Sequence, residues 1–322
     1  MSRSLKAHLL LISTTLVWGA TFVIIKSALS DISPLLFNAV RMSLAALTLG
    51  VVFRGEFRRY TPGAVWSGIL VGLFLGVGNE LQTAGLKFTM PSKAAFLTGL
   101  AVVFVPIFLK IFWGRRIGRW SALGALAAFI GLYLLTVPSS AAGPVSVNRG
   151  DLLSIGCAIV FAFHIVLIGH ASQAHRWQQI TFVQTATSAA LMSVAAPLLE
   201  TTHAIWSLEV LLAIVVTGLL SLAAAFSVQA WAQQFIPATH AALIFSLEPV
   251  FAWLTSFLFL GERLGIRGGL GALLILAGVV VSEEKGTAES IAVAPDHAAV
   301  PQITETEQPL AEAAEHATSD KA

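Results

Sequence analysis

The sequence predicts an all-α integral membrane protein, with ten transmembrane helices arranged as two inverted five-helix repeats. Three observations carry that prediction. Of the 322 residues, 56% are apolar and only 11% are charged, against roughly 25% charged in a soluble domain, and the mean hydropathy is +0.82. The apolar residues gather into ten segments, each close to the roughly 20 residues that a helix needs to cross a hydrocarbon core about 30 Å thick. The second half of the chain also repeats the first in register. A water-soluble core of any size is excluded.

The segments run over 8–28, 34–53, 63–82, 93–113, 118–137, 150–170, 179–198, 208–232, 238–260 and 264–282. Arg3 and Lys6 precede the first, as in a signal peptide, but the nine further spans make it a retained helix. Turn chemistry separates the spans: Asp31-Ile32-Ser33-Pro34 ends the first, Thr61-Pro62-Gly63 opens the third, and a Pro/Ser/Ala/Gly stretch lies between the fifth and sixth. The domains are therefore a first repeat at 1–137, a linker loop at 138–149, a second repeat at 150–283 and a tail at 284–322. That tail is rich in Ala, Glu and Pro and lacks aromatics, the composition of a disordered extension.

The net charge of +2 conceals a division. From Glu284 onward eight acidic residues face Lys285 and Lys321, so the tail carries −6 and the body +8. With the N-terminus inside, ten basic residues collect on the inner side against about six on the outer. The positive-inside rule then places both termini in the cytoplasm of a cell (inner or plasma) membrane. The basic residues are scattered over short loops, which excludes nucleic acid as a partner. The single Cys157 forms no intramolecular disulfide, and no Cys/His cluster has metal-ligand spacing.

A shift of 147 aligns 81–136 with 228–283 without a gap. Gln82 falls on Gln229, Phe88 on Phe235, Ala94-Ala95 on Ala241-Ala242 and Val103-Phe104 on Val250-Phe251. Gly114, Gly118, Gly124 and Gly131 fall on Gly261, Gly265, Gly271 and Gly278. A shift of 143 matches the starts of the halves, Leu9-Leu10 with Leu152-Leu153 and Trp18 with Phe161. Because five spans is an odd number, the second copy starts on the opposite side of the membrane. Inverted repeats of this kind mark secondary transporters.

Trp18-Gly19-Ala20-Thr21-Phe22, Phe37-Asn38-Ala39-Val40-Arg41, Leu247-Glu248-Pro249-Val250-Phe251-Ala252 and Gly261-Glu262-Arg263-Leu264 follow one another along the chain. Together they resemble the EamA family of the drug/metabolite transporter superfamily. The resemblance covers both halves, about 8–283, and implies ten helices, an internal duplication and carriage of amino acids or other small metabolites, often outward. The first half departs from the pattern, with Ala101-Val102 in place of Glu248-Pro249 and Arg115 in place of Glu262.

Polar residues inside a span are costly, so each needs a partner or a wet cavity. Thr14, Trp18, Thr21 and Phe22 recur on one face of the first span, and the 143 shift carries the first three onto Cys157, Phe161 and His164. Two symmetry-related helices thus present aromatic and polar stripes suited to a cavity. His164 alone also reads as a packed histidine, and an imidazole in a cavity could titrate in service of proton coupling. Arg41, which maps to Gln184, and Glu80 either form an ion pair or face the cavity together. Glu248 lies near the midplane beside a helix-breaking Pro249, and reads equally as a site for an ammonium group or proton and as a neutralised or paired charge. Gln184 and Gln229 belong to amide and hydroxyl stripes with Thr181, Ser188, Ser221 and Gln233, which suit either a polar metabolite or interhelical hydrogen bonds. Gly68, Gly72 and Gly76 have the spacing of close helix packing.

No phosphate-binding loop, zinc-protease motif or nucleophile elbow is present, so neither an enzyme nor a cofactor is expected. The function implied is a secondary-active transporter, by its family an exporter, of amino acids or other small polar metabolites. It would work by alternating access in the lipid bilayer, with proton coupling open to it. The alternatives are a channel and a membrane sensor or scaffold using the acidic tail. Substrate, direction and oligomeric state stay open.

Overall fold

A computed structural model describes residues 2–136, 148–260 and 265–292. The Gly261-Glu262-Arg263-Leu264 motif, the linker up to residue 147 and the tail after Ala292 lie outside the described residues. Within them every regular element is helical, with one isolated bridge between Ile32 and Ala204. Among the described residues seven helices are long and apolar enough to cross a membrane, and shorter apolar helices cover Arg119–Leu134 and Ile266–Ser282.

Local chemistry explains most helix ends. α1 (Arg3–Ala28) is capped by the Ser2 hydroxyl, which accepts from Leu5 N. α2 (Pro34–Val52) and α3 (Pro62–Phe88) begin at prolines, whose missing N–H costs nothing in a first turn. α4 (Pro91–Gly99) and α5 (Ala101–Trp113) follow, and Gly114 closes α5 in the left-handed conformation, φ 62°. α6 (Arg119–Thr136) completes the first half. α7 (Arg149–Ala174) opens on a reciprocal capping box between Asn148 and Asp151. Asp151 also accepts from Lys93 Nζ at 2.6 Å and Thr89 Oγ1 at 3.1 Å, tying the α3–α4 turn to α7. α8 (Trp177–Leu199) precedes a 25-residue helix built from α9 (Leu208–Val216), a π-helical stretch (Thr217–Ala224) and α10 (Ala225–Ala232). α11 (Ala238–Phe245), α12 (Glu248–Leu260) and α13 (Ile266–Ala292) end the described chain.

Several bounds differ from the sequence reading. α3 and α7 run past 82 and 170 because polar residues there find partners: Thr83 meets Arg41, and Gln173 donates to Gln233 O. α13 continues to Ala292 although the tail was expected from 284, since Glu, Lys and Ala are good helix formers. The break expected at Pro249 lies before it, at Ser246 and Leu247, and Pro249 takes a first-turn position in α12 where its missing N–H is harmless.

The outer surface carries apolar side chains such as Leu47, Trp66, Leu199 and Ile266, while Asn38, Arg41, His164, Gln184, Gln229 and Glu248 are buried. This is the reverse of a soluble protein's pattern and suits a lipid surround. Glycines let the helices approach. A Cβ on Gly72 would lie 2.6 Å from Gln184 O, and one on Gly68 2.6 Å from Val183 Cβ, so the α3 glycines pack against α8 as their spacing predicts. Between α6 and α13, a Cβ on Gly124 would lie 2.7 Å from Gly278 O and one on Gly131 2.5 Å from Gly271 O. The two helices are antiparallel at this contact. Replacing each of these glycines by its equivalent under the 147 shift converts one contact into the other.

Arg41 and Glu80 do not pair directly. Asn38 stands between them, its Oδ1 accepting from Arg41 Nε at 2.8 Å while its Nδ2 donates to Glu80 Oε2 at 2.7 Å. Arg41 Nη2 donates to Asn79 Oδ1 at 3.0 Å and Thr83 Oγ1 at 3.3 Å, and the guanidinium lies 5.1 Å from the Phe37 ring centroid. The side chain is 1% exposed. Two amides and a hydroxyl thus supply the acceptors that hydrocarbon would deny it.

Two outcomes are expected. Gly131→Val should destabilise the purified protein by about 1–3 kcal/mol through overpacking, whereas Gly156→Ala, whose new Cβ would meet only Leu81 Cδ1 at an ordinary 3.6 Å, should not; thermal unfolding in detergent measures both. Asn38→Leu should cost about 1–3 kcal/mol by orphaning Arg41 Nε. An unchanged melting temperature would show that Asn38 does not hold the guanidinium.

Candidate functional site

Both halves of the chain break a helix at the same place. Leu100 separates α4 from α5, and its N–H bonds to Leu97 O at 3.3 Å; Leu247, its equivalent under the 147 shift, bonds to Ile244 O at 3.0 Å before α12 begins. Each interruption is a single tightened turn with i→i−3 bonding, and Leu100 and Ser246 keep right-handed helical dihedrals.

A cavity of about 70 Å³ lies beside these breaks, several times the 10–15 Å³ that one water needs. Its wall is built from equivalent residues of the two halves. Trp18 and Phe161, Thr21 and His164, and Phe22 and Ile165 correspond under the 143 shift, and all line it. Gln82 and Gln229, Thr98 and Phe245, Gly99 and Ser246, and Ala101 and Glu248 correspond under the 147 shift and line it as well.

Trp18 sits between Phe226 and Phe245, with ring centroids 5.2 and 5.1 Å away. Its indole Nε1 donates to Ser221 O at 2.9 Å. That carbonyl belongs to the π-helical stretch, a distortion common where side chains must be re-aimed at a site. Thr21 Oγ1 donates to Trp18 O at 2.9 Å and accepts from Ser221 Oγ at 3.2 Å, joining α1 to the same stretch. Gly19 explains how α1 comes so close to α12, because a Cβ there would lie 2.7 Å from Glu248 O and 2.8 Å from Ala252 N.

Glu248 opens α12, where the helix dipole favours a negative charge. Its side chain is 8% exposed, and among the described residues no hydrogen bond or ion pair reaches its carboxylate. Gln229 Nε2 donates to Gln233 Oε1 at 3.0 Å, and Gln233 Nε2 donates to Ile165 O at 2.9 Å. His164 Nε2 lies 3.0 Å from Gln184 Oε1, and its ring meets Phe226 edge to face at 5.5 Å.

Seven of the nine cavity residues expected from the sequence, Trp18, Thr21, Phe22, Phe161, His164, Gln229 and Glu248, line this space, and Arg41 joins them. Gln184 stands behind His164, Thr14 is buried away from the wall, and Glu80 stands behind Asn38. Asn79, Thr98 and Ser246 also line the cavity without having been singled out in the sequence. Gln82 was visible as the partner of Gln229 in the repeat. Among the described residues no group of three or more His, Cys, Asp or Glu could hold a metal ion.

The profile of the EamA-like transporter family matches the chain twice, over residues 5–137 and 148–282. An uncharacterized transporter of Archaeoglobus fulgidus is 32% identical over 87% of this chain and 86% of its own. The uncharacterized transporter YoaV of Bacillus subtilis is 28% identical over 86% of this chain and 96% of its own. An S-adenosylmethionine/S-adenosylhomocysteine transporter of Chlamydia muridarum is 31% identical over 40% of this chain and 41% of its own. A solved crystal structure shares the fold, with a TM-score of 0.71 at 20% identity over 88% of this chain and 100% of that one. Matched twice along its length and carrying several strongly apolar helices, the chain belongs to the EamA-like transporter family and is a multi-pass membrane protein.

Proposed function

We propose that the chain is a secondary-active exporter of amino acids or other small polar metabolites. It spans the membrane ten times as two inverted five-helix repeats, 1–137 and 150–283, joined by the 138–149 loop and followed by a tail from 284. Both termini lie in the cytoplasm of a cell membrane. The observation that carries this reading is the cavity wall, which is lined by residues of one half together with their equivalents in the other, beside two matching helix interruptions. Two similar bundles of opposite orientation can exchange conformations and open one midplane site to either side. The antiparallel glycine contacts of α6 and α13 and the double match to the family support the inverted duplication.

Glu248 is the residue on which coupling would turn. A buried carboxylate without a protein partner can take a proton in one conformation and a cationic group of the cargo in another. The Chlamydia relative is named for a small-metabolite cargo, which favours a metabolite here too. His164 and Gln229 would orient the cargo, and Trp18, Phe22 and Phe161 would exclude water from it.

Reconstitution into proteoliposomes tests this. Uptake of a labelled amino acid and metabolite panel under an imposed proton gradient should saturate with concentration. Glu248→Gln should reduce the rate at least about tenfold, as loss of a charge partner in a desolvated site does, while the variant inserts normally. Removing residues 293–322 should leave flux intact. Flux without saturation would identify a channel, and the absence of any flux would favour a sensor or scaffold.

A further inference from the structure

We infer that Arg41 receives the carboxylate of a small zwitterionic cargo whose ammonium group lies toward Glu248, each repeat supplying one end of a polarised site. This assigns a carboxylate seat, narrows the cargo class, and rests on the cavity being the transport site.

The protein uses only part of the guanidinium. Of its five N–H donors, Nε donates to Asn38 and Nη2 to Asn79 and Thr83. Nη1 has no acceptor among the described residues, and unlike the unpartnered amide atoms of Gln184 and Gln229 it is not sealed in protein. The side chain is otherwise buried and lines the cavity, so the cavity is where those two donors can be met. A carboxylate is the partner that a guanidinium N–H bonds most strongly in a dry site. Glu80 does not take this place, because Asn38 stands between it and Arg41 and donates to it.

Gln82 adds a further donor. It lines the same cavity, and its side-chain amide has no hydrogen bond among the described residues. The duplication explains why. Its equivalent Gln229 gives its Nε2 to Gln233 Oε1 at 3.0 Å, whereas the first-half equivalent of Gln233 is Leu86, whose side chain has no acceptor.

The charges on the wall are opposite in sign and belong to opposite halves. Arg41 corresponds to Gln184 under the 143 shift and Glu248 to Ala101 under the 147 shift, so each charge has a neutral equivalent. The donors come from α2 and α3, and the acid from α12. A carboxylate alone would bring a second negative charge into the cavity that Glu248 lines, and an ammonium alone would leave Nη1 unmet. A zwitterion answers both. The cavity's volume of about 70 Å³, less than half the roughly 150 Å³ that admits benzene, keeps the rest of the cargo short.

Three probes of similar size separate the two ends: alanine, alaninamide, which keeps the ammonium and replaces the carboxylate by a neutral amide, and propionate, which lacks the ammonium. Equilibrium dialysis against the purified full-length protein measures their binding. Alanine should bind saturably, and at least about tenfold tighter than either of the others, as expected when a desolvated charge loses its partner. Arg41→Lys keeps the positive charge but spends its single nitrogen on the acceptors of Asn38, Asn79 and Thr83; it should abolish the preference for alanine over alaninamide while alaninamide binds as before. Gln82→Leu, which leaves the Arg41 network intact, should lower the same preference by about threefold, the worth of one hydrogen bond, and serves where Arg41→Lys does not fold. Alaninamide or propionate binding as tightly as alanine, no saturable binding of alanine, or an unchanged preference in folded Arg41→Lys would overturn the inference. Selective alanine binding without flux in proteoliposomes would instead overturn the transporter reading and leave the carboxylate seat standing. Saturable flux in which alanine and alaninamide run equally would do the reverse.

Discussion

In hydrocarbon a backbone or side-chain polar group without a partner costs several kcal/mol, and no water is present to supply one. That constraint governs the arrangement of this protein at each level. It makes the elements helices, whose backbone bonds are internal. It turns hydroxyls back onto their own helices: Thr15, Thr48, Thr181, Thr185, Thr217 and Ser227 each donate to the carbonyl four residues before. It surrounds Arg41 with amide and hydroxyl acceptors rather than leaving its charge to one carboxylate. Departures from the rule carry information for the same reason. Among the described residues the Glu248 carboxylate, on the cavity wall, has no hydrogen bond or ion pair, and Gln229 Oε1 and Gln184 Nε2 are buried close behind that wall without a partner.

The breaks themselves are tertiary features. Pro249 follows Glu248 in the second half, but its equivalent in the first is Val102, and the helix still breaks at the matching residue. Proline is therefore not required for the interruption. Both interruptions lie at close helix contacts: Gly19 admits α1 to the first turn of α12, and Gly99 lies at the end of α4 beside Leu132 and Pro249. Close approach at small residues supplies the dispersion contacts that hold helices together where lipid offers no hydrophobic driving force. The α6–α13 glycines serve the same end away from the cavity.

Much of the cavity wall could be read from the sequence because its residues obey two periodicities, the helical repeat along a span and the duplication between halves. Trp18, Thr21, Phe161 and His164 satisfied both. Gln184 satisfied both as well, yet it stands behind His164, since periodicity places a residue on a face but not at a depth within it. Asn38 lay inside a recognised motif without a role assigned, and became the bridge between Arg41 and Glu80 only through side-chain rotamers on two helices. Asn79 and Ser246 carried no charge and broke no pattern, so nothing in the sequence raised them above other polar residues in a span.

The amino-acid sequence by itself determined that the chain is a membrane protein rich in apolar helices, that its halves resemble one another, and which few charged residues lie in its apolar segments. These follow from composition, segment length and internal similarity, which need no knowledge of contacts. Only the tertiary structure decided which polar groups satisfy one another and which are left over. Hydrogen bonds form over about 3 Å and so depend on the rotation and depth of helices distant in the chain.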